Sequence, residues 1–186
     1  VSLVELLLIA VGLSMDALAV SICKGMVLNG TKLKNAIIMG LFFGGFHGIM
    51  PILGYLLGTQ FNEILNNVDH WIAFILLAFI GGKMMVEALK KDKDSCEIQK
   101  NISISDLVML SIATSIDVLA VGVSFAFLEV PIIEASIVIA VVTFIISAIG
   151  VYLGKFCGTS LGKWAEVTGG IVLIIIGIKI LLEGLF

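Results

Sequence analysis

Six apolar runs, each about as long as a membrane is thick, constrain this chain more than any other feature it has. They fall at about 3 to 23, 36 to 58, 70 to 89, 105 to 128, 131 to 154 and 164 to 186. An α-helix rises 1.5 Å per residue, so about 20 apolar residues cross about 30 Å of hydrocarbon, and every run is long enough to span. Composition agrees, because 60% of the 186 residues are hydrophobic and the mean hydropathy is +1.19. A soluble domain holds roughly 45–50% apolar residues, so the excess here must face lipid. Six spans with short connections use up the length and leave no room for a soluble catalytic domain. The first run lacks the basic flank and small-residue cleavage site of a signal peptide, so it is read as a retained helix, with the mature chain starting close to Val1.

The net charge of -3 comes from 14 acidic and 11 basic residues, and every base is Lys, which offers no patch suited to nucleic acid. The lysines are unevenly placed. Lys24, Lys32 and Lys34 lie around the first connection, Lys90, Lys91, Lys93 and Lys100 around the third, and Lys155 and Lys163 between the last two runs. The stretches 59–69 and 129–131 carry none. The positive-inside rule makes the lysine-bearing connections cytoplasmic, so both termini are expected outside. Cys23, Cys96 and Cys157 then lie at or near the cytoplasmic side, where thiols stay reduced, and no disulfide is expected.

The two halves resemble each other. Ser14-Met15-Asp16-Ala17-Leu18-Ala19-Val20 matches Ser115-Ile116-Asp117-Val118-Leu119-Ala120-Val121. Leu53-Gly54 and Gly58 match Leu153-Gly154 and Gly158, while Ile80-Gly81, Lys83, Glu87 and Leu89 match Ile176-Gly177, Lys179, Glu183 and Leu185. Each half has an odd number of spans, so the second enters the membrane with opposite polarity, as in the inverted repeats of many secondary transporters. The expected fold is an all-α integral membrane protein of six transmembrane helices arranged as two inverted three-helix repeats. Residues 1–90 form the first repeat, 91–104 a cytoplasmic linker and 105–186 the second, inverted repeat.

Asp16 and Asp117 each stand about thirteen residues into their spans, so inversion brings both near the midplane. A carboxylate there costs roughly 2.5–3.5 kcal/mol or more on insertion scales and requires a partner. Lys83 and Lys179 lie within two turns of their helix ends, so no lysine is expected at that depth and an external cation is the natural partner. Two carboxylates with neighbouring hydroxyl or carbonyl oxygens suit Mg2+, Ca2+ or Mn2+. Thr114, on the face of Asp117, is a candidate oxygen ligand; Met15, beside Asp16, offers a thioether, though in an apolar helix such a residue commonly only packs. His47 is a further candidate and would favour a transition metal, with a plain hydrogen bond to a neighbouring helix as its alternative. Pro51 removes a backbone donor and can free a carbonyl of the preceding turn for the site. Glu87 and Glu183 lie one turn beyond Lys83 and Lys179, either as helix-end pairs or as gate or proton-relay groups at the two mouths.

Ser-Met-Asp-Ala-Leu-Ala-Val at 14 to 20 and Ala-Thr-Ser-Ile-Asp-Val-Leu-Ala-Val-Gly-Val at 113 to 123 resemble the manganese efflux pump (MntP) family of bacteria. The resemblance extends over essentially the whole chain, through Pro51-Ile52-Leu53-Gly54, His70-Trp71-Ile72-Ala73-Phe74, Gly81-Gly82-Lys83-Met84 and Ala126-Phe127-Leu128. It implies a transporter rather than an enzyme, exporting Mn2+ across the cytoplasmic (inner) membrane with Asp16 and Asp117 as the essential carboxylates. Gln and Glu also occur at the position of His47 in that family, so a ligand role carries onto His47 only weakly. No permanently bound cofactor, nucleic acid or obligatory protein partner is expected; the partners are Mn2+ and the lipid bilayer, and a homodimer is compatible with the sequence. No phosphate-binding loop is present, so proton entry is the simplest driving force, with H+ neutralising the two aspartates on the return step. The alternatives are an exporter of another divalent cation or a small cationic solute, a channel or scaffold, and an intramembrane aspartyl protease. The Gly-x-Gly-Asp motif associated with such proteases is missing around both aspartates.

Overall fold

The computed structural model describes residues 2–27, 32–60, 69–90 and 104–185, and these are helical almost throughout, with no strand among the described residues. The helices are α1 (Leu3–Leu13), α2 (Met15–Val27), α3 (Lys32–Thr59), α4 (Asp69–Lys90), α5 (Ile104–Phe127) and α6 (Ile132–Leu185). Helix α1 opens on a reciprocal cap: the Glu5 amide donates to Ser2 Oγ at 3.3 Å, and the Ser2 amide donates to the Glu5 carboxylate at 2.7 Å. Four helical stretches are long and apolar enough to cross a membrane, Leu3–Met26, Leu33–Thr59, Leu107–Phe127 and Ile132–Gly154; Trp71–Val86 and Val167–Leu182 are shorter apolar helices.

Two boundaries differ from those expected. The first apolar run is interrupted at Ser14, which ends α1 and whose hydroxyl donates to the Ala10 carbonyl at 2.6 Å. Such back-bonding by serine competes with the regular ladder and bends helices, and it places Asp16 in the first turn of α2. The last two runs, in contrast, are joined in one helical stretch, Ile132–Leu185. Contacts with the first span show that its path reverses. Ser14 meets Thr143 and Gly25 meets Val151, so the two segments first run parallel. Met15 then meets Gly169, Gly12 meets Leu173 and Glu5 meets Lys179, which is antiparallel. Helix α6 therefore folds back between Gly154 and Gly169 and has two limbs. No proline marks that turn, so hydropathy alone located it. Helix α3, conversely, continues through Pro51, where the sequence suggested a polar break.

Backbones meet at small residues. A Cβ built on Gly54 would lie 2.0 Å from the Leu119 carbonyl oxygen, and one on Gly122 would lie 2.2 Å from that of Pro51, which joins α3 to α5. Gly154 meets the Ile22 carbonyl oxygen at 2.2 Å in the same sense, joining α2 to the first limb of α6. Gly81 and Gly170 each place that position 2.5 Å from the other's carbonyl oxygen, where α4 crosses the second limb. Close approach of this kind is how helices associate in lipid, where no hydrophobic gain between apolar surfaces is available. On the outside, Ile137, Val141, Ile145 and Ile149 recur every fourth residue and are all exposed, which forms an apolar stripe along the first limb.

The expectation of three reduced thiols fails at Cys23, which is disulfide-bonded, with its partner sulfur outside the described residues. Compartment chemistry speaks to redox poise and says nothing of proximity, and Ile22 and Gly25 on either side of Cys23 pack on Gly154 at the start of the α6 turn.

Candidate functional site

Asp117 lies in the middle of α5 with 7% of its surface exposed. Val121 and Ser124, one and two turns further along the same face, are also buried, as is Val118 beside it, so its charge cannot be dispersed into bulk solvent. Lys83 answers it from α4, with Nζ donating to Asp117 Oδ1 at 2.8 Å. The expectation that no lysine reaches the depth of the aspartates is therefore corrected. Position along the helix was a poor guide because a lysine has a flexible four-carbon stem and can direct its ammonium inward as well as toward the interface. Removal of one partner from such a pair leaves a charge stranded in low dielectric, which is far costlier than the pair itself.

His47 is fully buried in α3, and its Nδ1 lies 3.0 Å from the Ser115 hydroxyl on α5. The backbone of Leu13, at the end of α1, and that of Phe43 approach the same ring, while Nε2 has no partner of hydrogen-bond geometry among the described residues. His47 thus joins three segments: the end of α1, α3 and the Ser115 turn of α5. Ser115 and Asp117 are two residues apart, roughly 200° around a helix, so His47 and Lys83 approach α5 from nearly opposite sides. The Thr114 hydroxyl turns back onto its own helix, donating to the carbonyls of Leu110 and Ser111 at 3.1 and 3.2 Å.

Asp16 is half-buried in the first turn of α2. Met15 beside it packs against Gly169, and Ala17 on its other side is buried with Ala36, Met39, Phe43, Leu107 and Val151. Ser14 reaches across to Thr143 on α6, Oγ to Oγ1, at 2.8 Å. One residue that matched no expectation is Glu5, buried to 8% exposure near the start of α1 and ion-paired with Lys179 of α6. Its burial could have been suspected from its place in an otherwise apolar run. The side chains of Glu87 and Glu183, expected as gate or relay groups, lie outside those described. Among the described residues no three His, Cys, Asp or Glu side chains converge as a metal cluster. The structure brings Lys83 to Asp117 and His47 to Ser115; it places Met15 and Thr114 on helix-packing and backbone contacts.

Comparison with known proteins follows the same lines. The family described as "Putative manganese efflux pump" matches residues 30–181. A protein of Desulfitobacterium hafniense named "Putative manganese efflux pump MntP" is 50% identical over 182 residues, which cover 97% of this chain and 95% of the relative. Proteins of the same name from Acetivibrio thermocellus and Clostridium perfringens are 49% and 46% identical, covering 99% and 98% of this chain and 92% and 95% of theirs. These relatives are named as efflux pumps, not as enzymes. No solved structure matches the chain. With its length covered almost end to end at about half identity, the chain belongs to the manganese efflux pump (MntP) family.

Proposed function

We propose that the chain is a secondary active exporter of Mn2+ in the bacterial cytoplasmic membrane, with Asp16 and Asp117 as the carboxylates that take the metal. The observation that carries this reading is a carboxylate, Asp117, buried mid-helix in a bundle whose outer surface is apolar. Intramembrane acids of this kind mark ion pathways. Oxygen donors suit Mn2+, and Met15 stands beside Asp16 as the softer neighbour. In this reading His47 and Thr114 serve the packing of α3 and α5, and Glu87 and Glu183 act at the two mouths. Moving two charges against 100 mV, inside negative, requires about 4.6 kcal/mol before any concentration gradient. Proton entry supplies that work if H+ neutralises the aspartates on the return step and leaves when metal binds.

The same proposal includes two inverted repeats, 1–90 and 105–186, with both termini outside. Its support lies in contacts that recur under the internal match. Gly54 packs on the Leu119–Val123 turn and Gly154 on Ile22, the residue that matches Val123. Gly81 packs on Gly170, and Gly177, which matches Gly81, packs on Phe74, which matches Gly170. Helices α3 and α5 run parallel, with His47 at Ser115 and Gly58 at Ala126, as do α2 and the first limb of α6. Odd-numbered repeats of opposite polarity require this relation. The test is purified chain in proteoliposomes: Mn2+ flux that follows an imposed proton gradient supports the reading, and flux indifferent to that gradient removes the proton from it.

A further inference from the structure

Several hydroxyls inside the bundle are answered by their own helix. Ser14, Thr114 and Ser124 each donate to the carbonyl one turn back, at Ala10, Leu110 and Ala120. Ser21, Ser111, Ser136 and Ser147 do not. None of the four is more than 4% exposed, and none has a hydrogen-bond partner among the described residues; the same is true of His47 Nε2. A serine in a helix has a carbonyl within reach in the preceding turn, so four that turn away from it direct their hydroxyls into the space between helices. In lipid no outside solvent answers such groups, and they must be satisfied within the bundle.

These groups form one row. On the first limb of α6, Ser136, Thr143 and Ser147 follow at intervals of seven and four and so share a face, opposite the exposed stripe of Ile137, Val141, Ile145 and Ile149. Ser136 lies by Gly48, the neighbour of His47 on α3: a Cβ built there would be 3.8 Å from the Ser136 carbonyl oxygen. His47 meets Ser115 through Nδ1, and Ser111 stands one turn before Ser115 on the same face of α5. The Leu13 backbone reaches the His47 ring, and Ser14, next in the chain, meets Thr143 at 2.8 Å. Ser147 is one turn further along α6, and Ser21 follows beside Gly150, where an added Cβ would lie 2.8 Å from that of Ser21. Ser136 to the level of Gly150 spans roughly 21 Å, about two-thirds of the hydrocarbon thickness.

No carboxylate belongs to this row. Asp16 and Asp117 stand two residues beyond Ser14 and Ser115, roughly 200° around their helices, so the acids leave α2 and α5 on the other side. Neutral hydroxyls and an imidazole do not compensate a dehydrated divalent ion. Water, in contrast, can donate to or accept from each of them, and a buried water makes about three such bonds.

We propose that Ser21, Ser111, Ser136, Ser147 and His47 hold a row of water molecules through the middle of the bundle, and that H+ moves along it. Each hop forms one O–H bond on a water as another breaks on its far side, so no fixed charge is needed. The driving ion then has a route to the depth of both aspartates on the face of α2 and α5 that the cargo does not take. The use of the row rests on the proton-coupled export reading; the presence of water does not.

Water is tested in the full chain, isotope-labelled at serine and isoleucine, in lipid bilayers by solid-state NMR transfer from water protons, with Ser→Ala variants assigning the signals. Ser21 and Ser147 are expected to build up several-fold faster than Ser124, whose hydroxyl is already bonded to Ala120, and than lipid-facing Ile145. Equal build-up for Ser147 and Ser124 overturns the row. The proton route is tested in proteoliposomes with an internal pH dye. Ser147→Val replaces the hydroxyl with methyl groups and is expected to slow H+ movement coupled to Mn2+ by ~10-fold or more, whereas Ser124→Ala leaves it unchanged. Ser21→Val obstructs the same row and is used where Ser147→Val is not monodisperse. H+ movement unaffected by either valine overturns the route. Fast build-up from water in a chain whose Mn2+ flux moves no H+ keeps the water row and refutes the proton-coupled reading instead.

Discussion

Gly54 lies against Leu119 so closely that a single added carbon would sit 2.0 Å from the Leu119 carbonyl oxygen. The atom it would meet is backbone, which cannot swing aside, so α3 and α5 must separate to admit any side chain. Gly45, on the same helix, has nothing within 4 Å of the same position.

These two glycines give a paired prediction. Gly54→Ala is expected to destabilise the bundle by about 1–3 kcal/mol or more through overpacking. Gly45→Ala is expected to be neutral or to stabilise by up to about 1 kcal/mol, because alanine is the better helix former in open space. Thermal unfolding of both variants in one detergent, read by loss of monodisperse protein, checks the contrast.

His47 supplies a second. It fills a fully buried site and meets Ser115 through Nδ1 at 3.0 Å. His47→Ala leaves a cavity and an orphaned hydroxyl and should cost about 2–4 kcal/mol. His47→Gln can keep a hydrogen bond to Ser115 and should retain most of the stability and of the transport. Efflux and melting measured together decide the role, since a metal ligand would lose transport in His47→Gln as well, where the stability is kept.

Glu129 has φ at 52°, in the left-handed region, just past the end of α5, where the Val130 amide closes back on the Phe125 carbonyl at 3.1 Å. Glycine is the residue suited to that helix-ending position, and an L side chain there costs roughly 1–2 kcal/mol. Glu129→Gly is expected to raise stability by up to about 1 kcal/mol and Glu129→Val to lower it. Melting temperatures of the two variants should move in opposite directions.

How much of this was legible in advance depends on which signal carried it. The helices announced themselves because lipid demands long apolar runs, and runs such as 105–128 match α5, Ile104–Phe127, almost residue for residue. Asp117 was identifiable because a buried carboxylate is conspicuous in apolar surroundings. Its partner was not, because the reach of Lys83 depends on how α4 lies against α5, and no local pattern encodes that. Ser14 gave no sign of ending α1, since serine is compatible with either a continued or a broken helix, and its bond to Ala10 is a tertiary choice made together with Thr143. The reversal within α6 was visible to hydropathy and not to helix-breaking residues. The disulfide at Cys23 went unforeseen because compartment was the only signal the sequence offered.

The most direct test of the central claim is cellular manganese in a strain lacking its own exporter, with the intact chain compared with Asp16→Asn and Asp117→Asn at matched membrane abundance. The intact chain is expected to lower cellular Mn2+, and either substitution is expected to abolish that effect. Export that survives in both substituted forms would contradict the carboxylate site and move the metal pathway elsewhere in the bundle.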